Sequence, residues 1–398
     1  MRIKHIRFKL ETILFLFILV SIQVNNSKYF IEISGLSIRY YMIFILLGLF
    51  FIIFNRRKVL VEWLLNYIFI FLFGIISFLY SPFPVEFSHV LKYSIFFLFQ
   101  MICYFVILNI YFKINNREKA KLFKILLFIF SFSSLILYTI QLPITYGSYS
   151  TTYLGIFYGH NGVPRMTGFF EDPNYFGLYI NTFMFIFIFV KYKYEHKFNR
   201  TDYLILIISI LCIVLTHSRA AMISDFIAIF LLFLTLKKNL KIKLATISSF
   251  FLIIIIGIIY YSFPDYLNEI FSRYSFSGGS FSERLKLMKI GLNNIVRYPF
   301  GVGLGNVQFY YNEFYGKLKL AHNDFLSVFI ETGVIGITFY ILYFIRIFIL
   351  SGKYGKILII TLFIHLNTLS CYKYEPIIPI ALAILILESK YNYYFKEG

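Results

Sequence analysis

Charged residues are scarce in this chain. Asp, Glu, Lys and Arg make up only 14% of its 398 residues, whereas hydrophobic residues make up 59%. Soluble globular domains carry about 25% charged residues, so the composition excludes an ordinary soluble protein. The mean hydropathy of +0.76 gives the same indication. The chain is therefore predicted to be an integral membrane protein.

Cysteines and metal-binding patterns are also few. The three cysteines, Cys103, Cys212 and Cys371, are scattered, and the first two lie inside apolar runs. They indicate neither a disulfide framework nor a cysteine-ligated metal. No group of His, Cys and Asp residues has the spacing of metal ligands. The sequence therefore predicts a protein without a metal or another cofactor.

Long apolar runs dominate what is present. A helix needs roughly 20 residues to cross a bilayer, and about twelve runs are candidates. They lie near residues 11–24, 36–54, 60–80, 90–112, 121–140, 174–190, 203–216, 219–236, 244–262, 333–350, 355–371 and 374–389. The predicted fold class is all-α: a polytopic membrane helical bundle of about twelve transmembrane helices with a long extracytoplasmic loop.

The runs divide one integral membrane domain into four parts. Residues 1–140 hold the N-terminal transmembrane helices, and residues 141–262 hold the central ones with motifs around Arg165 and Arg219. Residues 263–332 form the large extracytoplasmic loop, and residues 333–398 contain the C-terminal transmembrane helices.

Lys and Arg residues cluster in alternate loops, which predicts that these loops and both termini face the cytoplasm. The net charge of +19 is then mainly a topology signal and not a nucleic-acid footprint. Abundant Phe, Ile, Tyr, Lys and Asn are typical of an AT-rich bacterial genome. We therefore expect a multi-pass protein of the bacterial plasma (inner) membrane.

Five basic residues near span ends fall on the opposite, extracytoplasmic side. They are Arg39, Lys92, Arg165, Arg219 and Arg284. For Arg39 or Lys92 alone, snorkelling toward lipid headgroups explains the position as well as function does. Several arginines on one side favour a site for an anion.

The first polar motif is RMTGFFEDPNYFG. Asp172 followed by Pro173 predicts a helix start, with Asp172 as the N-cap. In one interpretation Arg165 pairs with Glu171 or Asp172 and holds the loop. In the other, Arg165 binds an anionic ligand while Asp172 and Asn174 order the site.

The second motif is THSRAAMISDF. Ser218 is predicted to cap a helix that begins at Arg219. A cation at the positive end of a helix is unfavourable unless an anion lies there too, so an anionic ligand is expected. Asp225 lies six residues deeper and is expected to pair or hydrogen-bond inside the bundle.

The long loop contains a predicted amphipathic helix that starts near Ser280 or Ser282 and lies along the membrane surface. Its apolar positions are Leu285, Met288, Ile290, Leu292 and Ile295. The glycine-rich run 301–305 resembles a nucleotide-binding loop, but no strand precedes it. A tight turn that returns the chain to the bilayer is favoured.

The third motif is AHNDFLSVFIETGVIG. Phe325, Leu326, Phe329 and Ile330 share one helical face, and His322, Asn323 and Asp324 precede them. Gly333 and Gly336 then permit a bend into the next span. His322 is predicted to be functional because it lies at the water interface on the side of the unexplained arginines. Asn323 and Asp324 are expected to hold the helix start.

The motifs RMTGFFEDPNYFG, HSRAAMIS, SERL…YPFGVGLGN and AHNDFLSVFIETGVIG occur in this order between about residues 160 and 350. In combination they make the chain similar to the O-antigen ligase and Wzy polymerase superfamily. The resemblance implies a GT-C-like bundle that transfers glycan from undecaprenyl pyrophosphate to an acceptor sugar, without metal or nucleotide. Its arginines and histidine match Arg165, Arg219, Arg284 and His322. Met288 stands near the place where the family often has a tryptophan.

The residue types agree with that chemistry. Guanidinium groups bind phosphate in a bidentate way, and a neutral imidazole can take a proton from a hydroxyl. The predicted catalytic residues are His322, Arg284 and Arg219. The predicted substrate-binding residues are Arg165, Asp172, Asn174, Asn323, Lys92 and Arg39.

Three functions are compatible with the sequence. The first is a polymerase that joins lipid-linked repeat units into O-antigen, capsule or exopolysaccharide. The second is a ligase that moves the finished chain to lipid A core or to protein. The third is a lipid-linked oligosaccharide transporter, which is disfavoured because the two halves show no internal repeat. The expected partners are a polyprenyl-pyrophosphate-linked glycan, an acceptor glycan or lipid, and membrane lipids, but no nucleic acid.

Overall fold

The fold is known from a computed structural model. It describes residues 9–24, 31–33, 36–54, 60–61, 64–83, 87–145, 151–158, 163–235, 279–373 and 375–394. These residues are mainly α-helical, with two small antiparallel sheets in addition. The predicted span 244–262 lies outside the described residues.

The helices follow the apolar runs closely. In chain order they are α1 (Leu10–Gln23), α2 (Tyr40–Phe54), α3 (Leu64–Ile76), α4 (Phe87–Lys113), α5 (Asn116–Thr145), α6 (Pro173–Tyr194), α7 (Arg200–Leu215), α8 (Arg219–Thr235), α9 (Gly279–Asn294), α10 (Val307–Tyr315), α11 (Asp324–Leu350), α12 (Lys353–Leu366) and α13 (Ile377–Tyr394). The strands are β1 (Ile31–Ile33), β2 (Leu36–Ile38), β3 (Thr152–Tyr153), β4 (Gly155–Tyr158) and β5 (Pro164–Gly168).

Within the described residues, four helical segments are long and apolar enough to cross a membrane. They are Val90–Lys113 within α4, and the whole of α5, α6 and α11. Shorter apolar helices occur at Leu10–Gln23, Tyr40–Phe54, Leu64–Tyr80 and Ile377–Ser389. A helical membrane protein is therefore confirmed, and the count of twelve crossings stays a prediction.

Helix α6 lies at the centre of the bundle, since nearly every side chain from Phe176 to Val190 is buried. It packs against α5, α7, α8 and α12. The side-chain amide of Asn181 joins two of these neighbours. Its Nδ2 donates to the carbonyl of Ala221 over 2.9 Å and lies 3.1 Å from His365 Nε2. The positions of α6, α8 and α12 are thereby coupled at one level.

The described residues between α5 and α6 include a three-stranded sheet. Strands β3, β4 and β5 are antiparallel, and Arg165 in β5 faces Phe157 in β4. Every residue of β5 is buried, and the strand packs against both α5 and α6. This sheet fixes the backbone of Arg165 beside the start of α6.

Helix α11 is broken at Gly333, which confirms the predicted bend. Gly333 has φ 67° and ψ −167°, and the glycine-rich run lies across the break. The amides of Val302 and Gly303 donate to the carbonyls of Ile330 and Glu331 over 2.8 and 3.0 Å. A Cβ at Gly301 would lie 2.5 Å from the carbonyl oxygen of Glu331, so the approach needs glycine. The run satisfies backbone groups that the break leaves unpaired.

Helix α9 corrects part of the sequence interpretation. It begins at Gly279, so Ser280 and Ser282 lie inside it and neither caps it. Leu287 is its buried leucine at 1% exposure, whereas Leu285 and Met288 are 47% and 41% exposed. The reason is tertiary: Leu287 faces α10, whose Tyr311 hydroxyl donates to the Leu287 carbonyl over 3.1 Å.

Candidate functional site

Asp172 organises the first turn of α6, as the sequence predicts. Its carboxylate accepts from the backbone N–H of Asn174 over 2.6 Å and from Asn174 Nδ2 over 2.7 Å. Because the amide nitrogen of Asn174 is held by Asp172, its oxygen is available to Arg165, which donates from Nη2 over 3.3 Å. Asp172 thus orders both the helix start and the adjacent arginine.

Arg165 supports the turn that leads into α8. Its side chain is only 6% exposed, and Nε donates to the carbonyl of Thr216 over 2.9 Å. Nη2 also lies 3.5 Å from the carbonyl of His217, whose φ of 48° is in the left-handed region. These contacts favour a role for Arg165 in positioning the turn over direct contact with a large ligand.

Arg219 is the first residue of α8, and the predicted cap is present. Ser218 Oγ accepts from the backbone N–H of Ala221 over 3.4 Å. Arg219 is half-buried at the positive end of this helix. Its charge acts on Arg284 from the neighbouring segment, where it lowers the pKa of that guanidinium.

Arg284 lies on α9 and donates from Nη1 to the carbonyl of Thr368 over 3.4 Å. Burial is the main cause that lowers its pKa, the Asp172 carboxylate opposes the shift, and Arg219 adds to it. These mutual effects mean that Asp172, Arg219 and Arg284 lie close together although they come from three helices. Glu283, the neighbour of Arg284 on α9, is a second carboxylate that opposes the lowering of this pKa.

His322 immediately precedes the start of α11 and is half-buried. Its φ of 49° is a left-handed conformation that non-glycine residues adopt rarely and mostly at special sites. Burial and the charge of Arg284 lower its pKa below the usual value of 6.5, while Asp172 and Glu283 oppose the shift. The imidazole is therefore neutral at neutral pH and lies within the electrostatic reach of Arg284 and Asp172.

Asn323 and Asp324 hold the start of α11, as predicted. Asp324 also joins this start to the connection between α12 and α13. Asn323 caps α11 by accepting from the N–H of Leu326 over 3.0 Å. Asp324 is fully buried, and its Oδ1 accepts from the backbone amides of Cys371 and Tyr372 over 2.6 and 2.9 Å. Its Oδ2 accepts from the Tyr340 hydroxyl over 2.5 Å. The start of α11 is thereby attached to the connection between α12 and α13.

This connection, residues 367–373, is the part of the site that sequence reasoning missed. Thr368 supplies the carbonyl for Arg284, and the Ser370 carbonyl accepts from the Tyr175 hydroxyl over 3.2 Å. Lys373 pairs with the fully buried Glu331. The sequence could have identified Lys373. Like the five basic residues predicted on the extracytoplasmic side, it lies beside the end of a predicted span on that side.

Arg39 and Lys92 are not among the groups that act on Arg284 or His322. Arg39 Nη1 is 3.3 Å from Glu375 Oε1, and Glu375 Oε2 accepts from the Tyr179 hydroxyl over 2.9 Å. The pair joins α2 to α13 and α6, which favours a structural role for Arg39 over the predicted substrate binding. Lys92 is half-buried on α4, and none of the contacts described above includes it.

Asp225 is predicted to pair or hydrogen-bond inside the bundle. It is 6% exposed, and its Oδ1 has no hydrogen-bond partner among the residues that the structure describes. The expected pairing inside the bundle is thus not found for this oxygen. Asp225 lies in the second turn of α8, below Arg219.

One comparison with known proteins gives a match. Residues 204–341 match the family model described as O-antigen ligase, Wzy_C. The matched stretch includes Arg219, Arg284 and His322 but ends before the connection 367–373, and it begins after Arg165 and Asp172. No curated protein and no solved structure matches the chain. The match confirms the resemblance to the O-antigen ligase and Wzy superfamily.

Proposed function

We propose that this chain, which carries an O-antigen ligase domain over residues 204–341, is a glycosyltransferase of the plasma membrane. It transfers a glycan from undecaprenyl pyrophosphate to an acceptor sugar hydroxyl on the extracytoplasmic side. The observation that carries the proposal is the convergence of Asp172, Arg219, Arg284 and His322 from four separate segments.

Two guanidinium groups support a pyrophosphate ligand. Arg219 and Arg284 supply them, and the start of α8 adds the positive end of a helix dipole. Asp172 and Glu283 are the carboxylates that act on Arg284. We infer that Arg219 and Arg284 bind the pyrophosphate and stabilise the charge that develops as it leaves.

The protonation state of His322 supports a role as general base. A lowered pKa leaves the imidazole neutral at pH 7, so it can accept a proton. In the proposed step the acceptor oxygen attacks the anomeric carbon while its proton passes to His322. The bond from that carbon to the pyrophosphate oxygen breaks, and the configuration inverts. Asp172 stabilises the imidazolium that forms.

In this proposal Arg165, Asn174 and Asn323 are positioning residues for Arg219 and His322. Arg165 and Asn174 position the turn before Arg219, and Asn323 fixes the start of α11 beside His322. We propose that the site faces the extracytoplasmic side because the basic segments 113–121 and 191–200 lie at the opposite ends of α5 and α6.

We propose further that the protein is a polymerase that extends lipid-linked repeat units. Ligation to lipid A core or protein is the second candidate, since the matched family is described as O-antigen ligase. Deletion of the coding sequence, followed by analysis of polyprenyl-linked glycans, separates the two. A polymerase mutant accumulates single repeat units, and a ligase mutant accumulates long chains on the lipid carrier. Repeat units stranded on the cytoplasmic face would contradict both and indicate a transporter.

A further inference from the structure

Three polar residues form a stripe on the first turns of α11. Asp324, Ser327 and Glu331 follow one another by three and four positions, so they lie on one face of the helix, and all three are buried. Buried polar side chains destabilise a bundle unless each has a partner. All three find partners in the connection 367–373 between α12 and α13.

The first two residues of the stripe hold the middle of this connection. Asp324 Oδ1 accepts from the backbone amides of Cys371 and Tyr372 over 2.6 and 2.9 Å. Ser327 Oγ lies 3.0 Å from Ser370 Oγ. Since two of these contacts are to backbone amides, they fix the path of the connection itself and not only its side chains.

Glu331 adds a buried ion pair at the end of the stripe. Its carboxylate accepts from the Tyr372 hydroxyl and pairs with Lys373, and both side chains of the pair are at most 4% exposed. Desolvation of two buried charges roughly offsets their attraction, so such a pair contributes little net stability. It does favour a single arrangement, because a displaced partner leaves a buried charge unpaired.

The same connection also contacts the candidate site. The carbonyl of Thr368 accepts from Arg284 over 3.4 Å, and the carbonyl of Ser370 accepts from the Tyr175 hydroxyl over 3.2 Å. His322 lies one residue before the N-cap of α11. The connection therefore joins the helix start that carries His322 to the side chain of Arg284.

We propose that this connection sets the distance between His322 and Arg284. Asp324, Ser327 and Glu331 are the positioning residues in this arrangement. The inference rests on the proposed function, in which the base and the phosphate-binding arginine act on one substrate at the same moment. A displacement of about 1 Å between such groups can reduce turnover about a hundredfold.

The main test removes and then restores the contact of Asp324 with the two backbone amides. Asp324→Ala removes the acceptor, whereas Asp324→Asn keeps an oxygen that can accept from them. We expect kcat of purified Asp324→Ala to fall about ten- to hundredfold while KM for the donor stays within about twofold, because the arginines still bind pyrophosphate. Asp324→Asn is expected to recover most of the loss. Thermal unfolding of each variant gives the folded fraction by which kcat is corrected.

Two serine pairs provide a matched comparison at the two ends of α11. Ser327→Ala breaks the pair with Ser370, and Ser351→Ala breaks the pair in which Ser351 Oγ lies 3.2 Å from Ser389 Oγ. Each change removes one hydroxyl and one hydrogen bond between α11 and a later segment. We expect kcat to fall about threefold in Ser327→Ala and to stay at the wild-type value in Ser351→Ala.

The pH profile separates positioning from a general loss of stability. Burial lowers the pKa of His322, Arg284 and Lys319 lower it further, and Asp172 and Glu283 raise it. If the connection no longer holds Arg284 near His322, the lowering is weaker and the pKa rises toward 6.5. The acid limb of kcat/KM is therefore expected to move to higher pH in Asp324→Ala and to return in Asp324→Asn.

Several results would overturn the inference. Wild-type kcat with an unchanged acid limb in Asp324→Ala is one, and a loss of kcat that the folded fraction explains entirely is another. Equal losses in Ser327→Ala and Ser351→Ala would indicate a general effect on α11. If Asp324→Ala does not fold, the serine comparison decides. A wild type that transfers no glycan contradicts the proposed function, whereas an active wild type matched by all variants contradicts the inference alone.

Discussion

The two ends of the helical bundle use similar charges in different ways. At the end opposite the site, Glu388 is 1% exposed and lies 3.0 Å from Lys119 Nζ and 2.7 Å from Lys193 Nζ. At the site end, the Asp172 carboxylate accepts a hydrogen bond from Asn174, and Arg284 donates to an uncharged backbone carbonyl. Both clusters bring basic side chains close to carboxylates.

The difference lies in which groups neutralise each other. Glu388 also accepts from the hydroxyls of Tyr111 and Tyr194 over 2.8 and 2.6 Å, so it joins α4, α5, α6 and α13 through one saturated carboxylate. At the site end, Arg219 lies close enough to Arg284 to lower its pKa, and Arg284 donates to a backbone carbonyl. A saturated cluster stabilises packing, whereas guanidinium groups that lie close together favour the binding of an anion.

The largest effect is expected for the proposed base. His322→Ala removes the group that accepts the proton, so glycan transfer is expected to fall by about 10²- to 10⁴-fold, with the protein still inserted. The measurement is transfer to acceptor by purified protein. His196→Ala is the matched control, because His196 also has a positive φ of 55° but is exposed at the opposite end. Wild-type transfer by His322→Ala would refute the assignment.

The saturated cluster is expected to control stability and not chemistry. Glu388→Gln leaves the buried Lys119 and the half-buried Lys193 without their carboxylate, which costs about 3 kcal/mol. Thermal unfolding in detergent measures the loss, and kcat/KM of the folded fraction is expected to match wild type. A catalytic defect in protein of normal stability would contradict the contrast between the two ends.

Replacing the site arginines by lysine tests the geometry of the guanidinium group. Arg219→Lys and Arg284→Lys retain the charge but lose bidentate binding, so kcat/KM is expected to fall about ten- to hundredfold. Arg297→Lys is the control, since Arg297 is exposed and packs over Phe314 at 5.5 Å. If both site variants transfer glycan at the wild-type rate, these arginines serve packing or topology.

The smallest effect concerns pH. Transfer requires neutral His322, so activity is expected to fall as pH drops through a pKa that lies below 6.5. Lys319 lowers this pKa and Glu283 raises it, and the two pair over 2.9 Å. Lys319→Met is therefore expected to move the acid limb of the pH profile to higher pH, and Glu283→Gln to lower pH. Shifts in the same direction would argue against His322 as the titrating base.

Local features of the site were predictable because they depend on neighbouring residues. Asp172 before Pro173, Ser218 before Arg219 and Asn323 before the apolar face of α11 each cap the helix that follows. The bend at Gly333 was predictable for the same reason, since a glycine between two apolar helical stretches permits the left-handed φ.

Long-range pairing was not predictable. Arg39 looked like a candidate ligand-binding residue until its partner Glu375 was found 336 positions along the chain. The apolar pattern of α9 identified a helix but not the face that it buries, because an apolar side chain can pack equally well against lipid or against another part of the protein. The connection 367–373 carries few sequence signals, since it contributes mainly backbone groups.

By itself, the sequence determined that this protein is a helical membrane protein whose helix starts are capped. It also determined the order along the chain of the motifs that contain the arginines and His322. These properties follow from composition and from contacts within one helical turn. Only the tertiary structure decided which charges meet, because burial and distance between α6, α8, α9 and α11 are set by packing across the bundle. That packing pairs Arg39 with Glu375, whereas Arg284 lies within electrostatic reach of Arg219 and of His322.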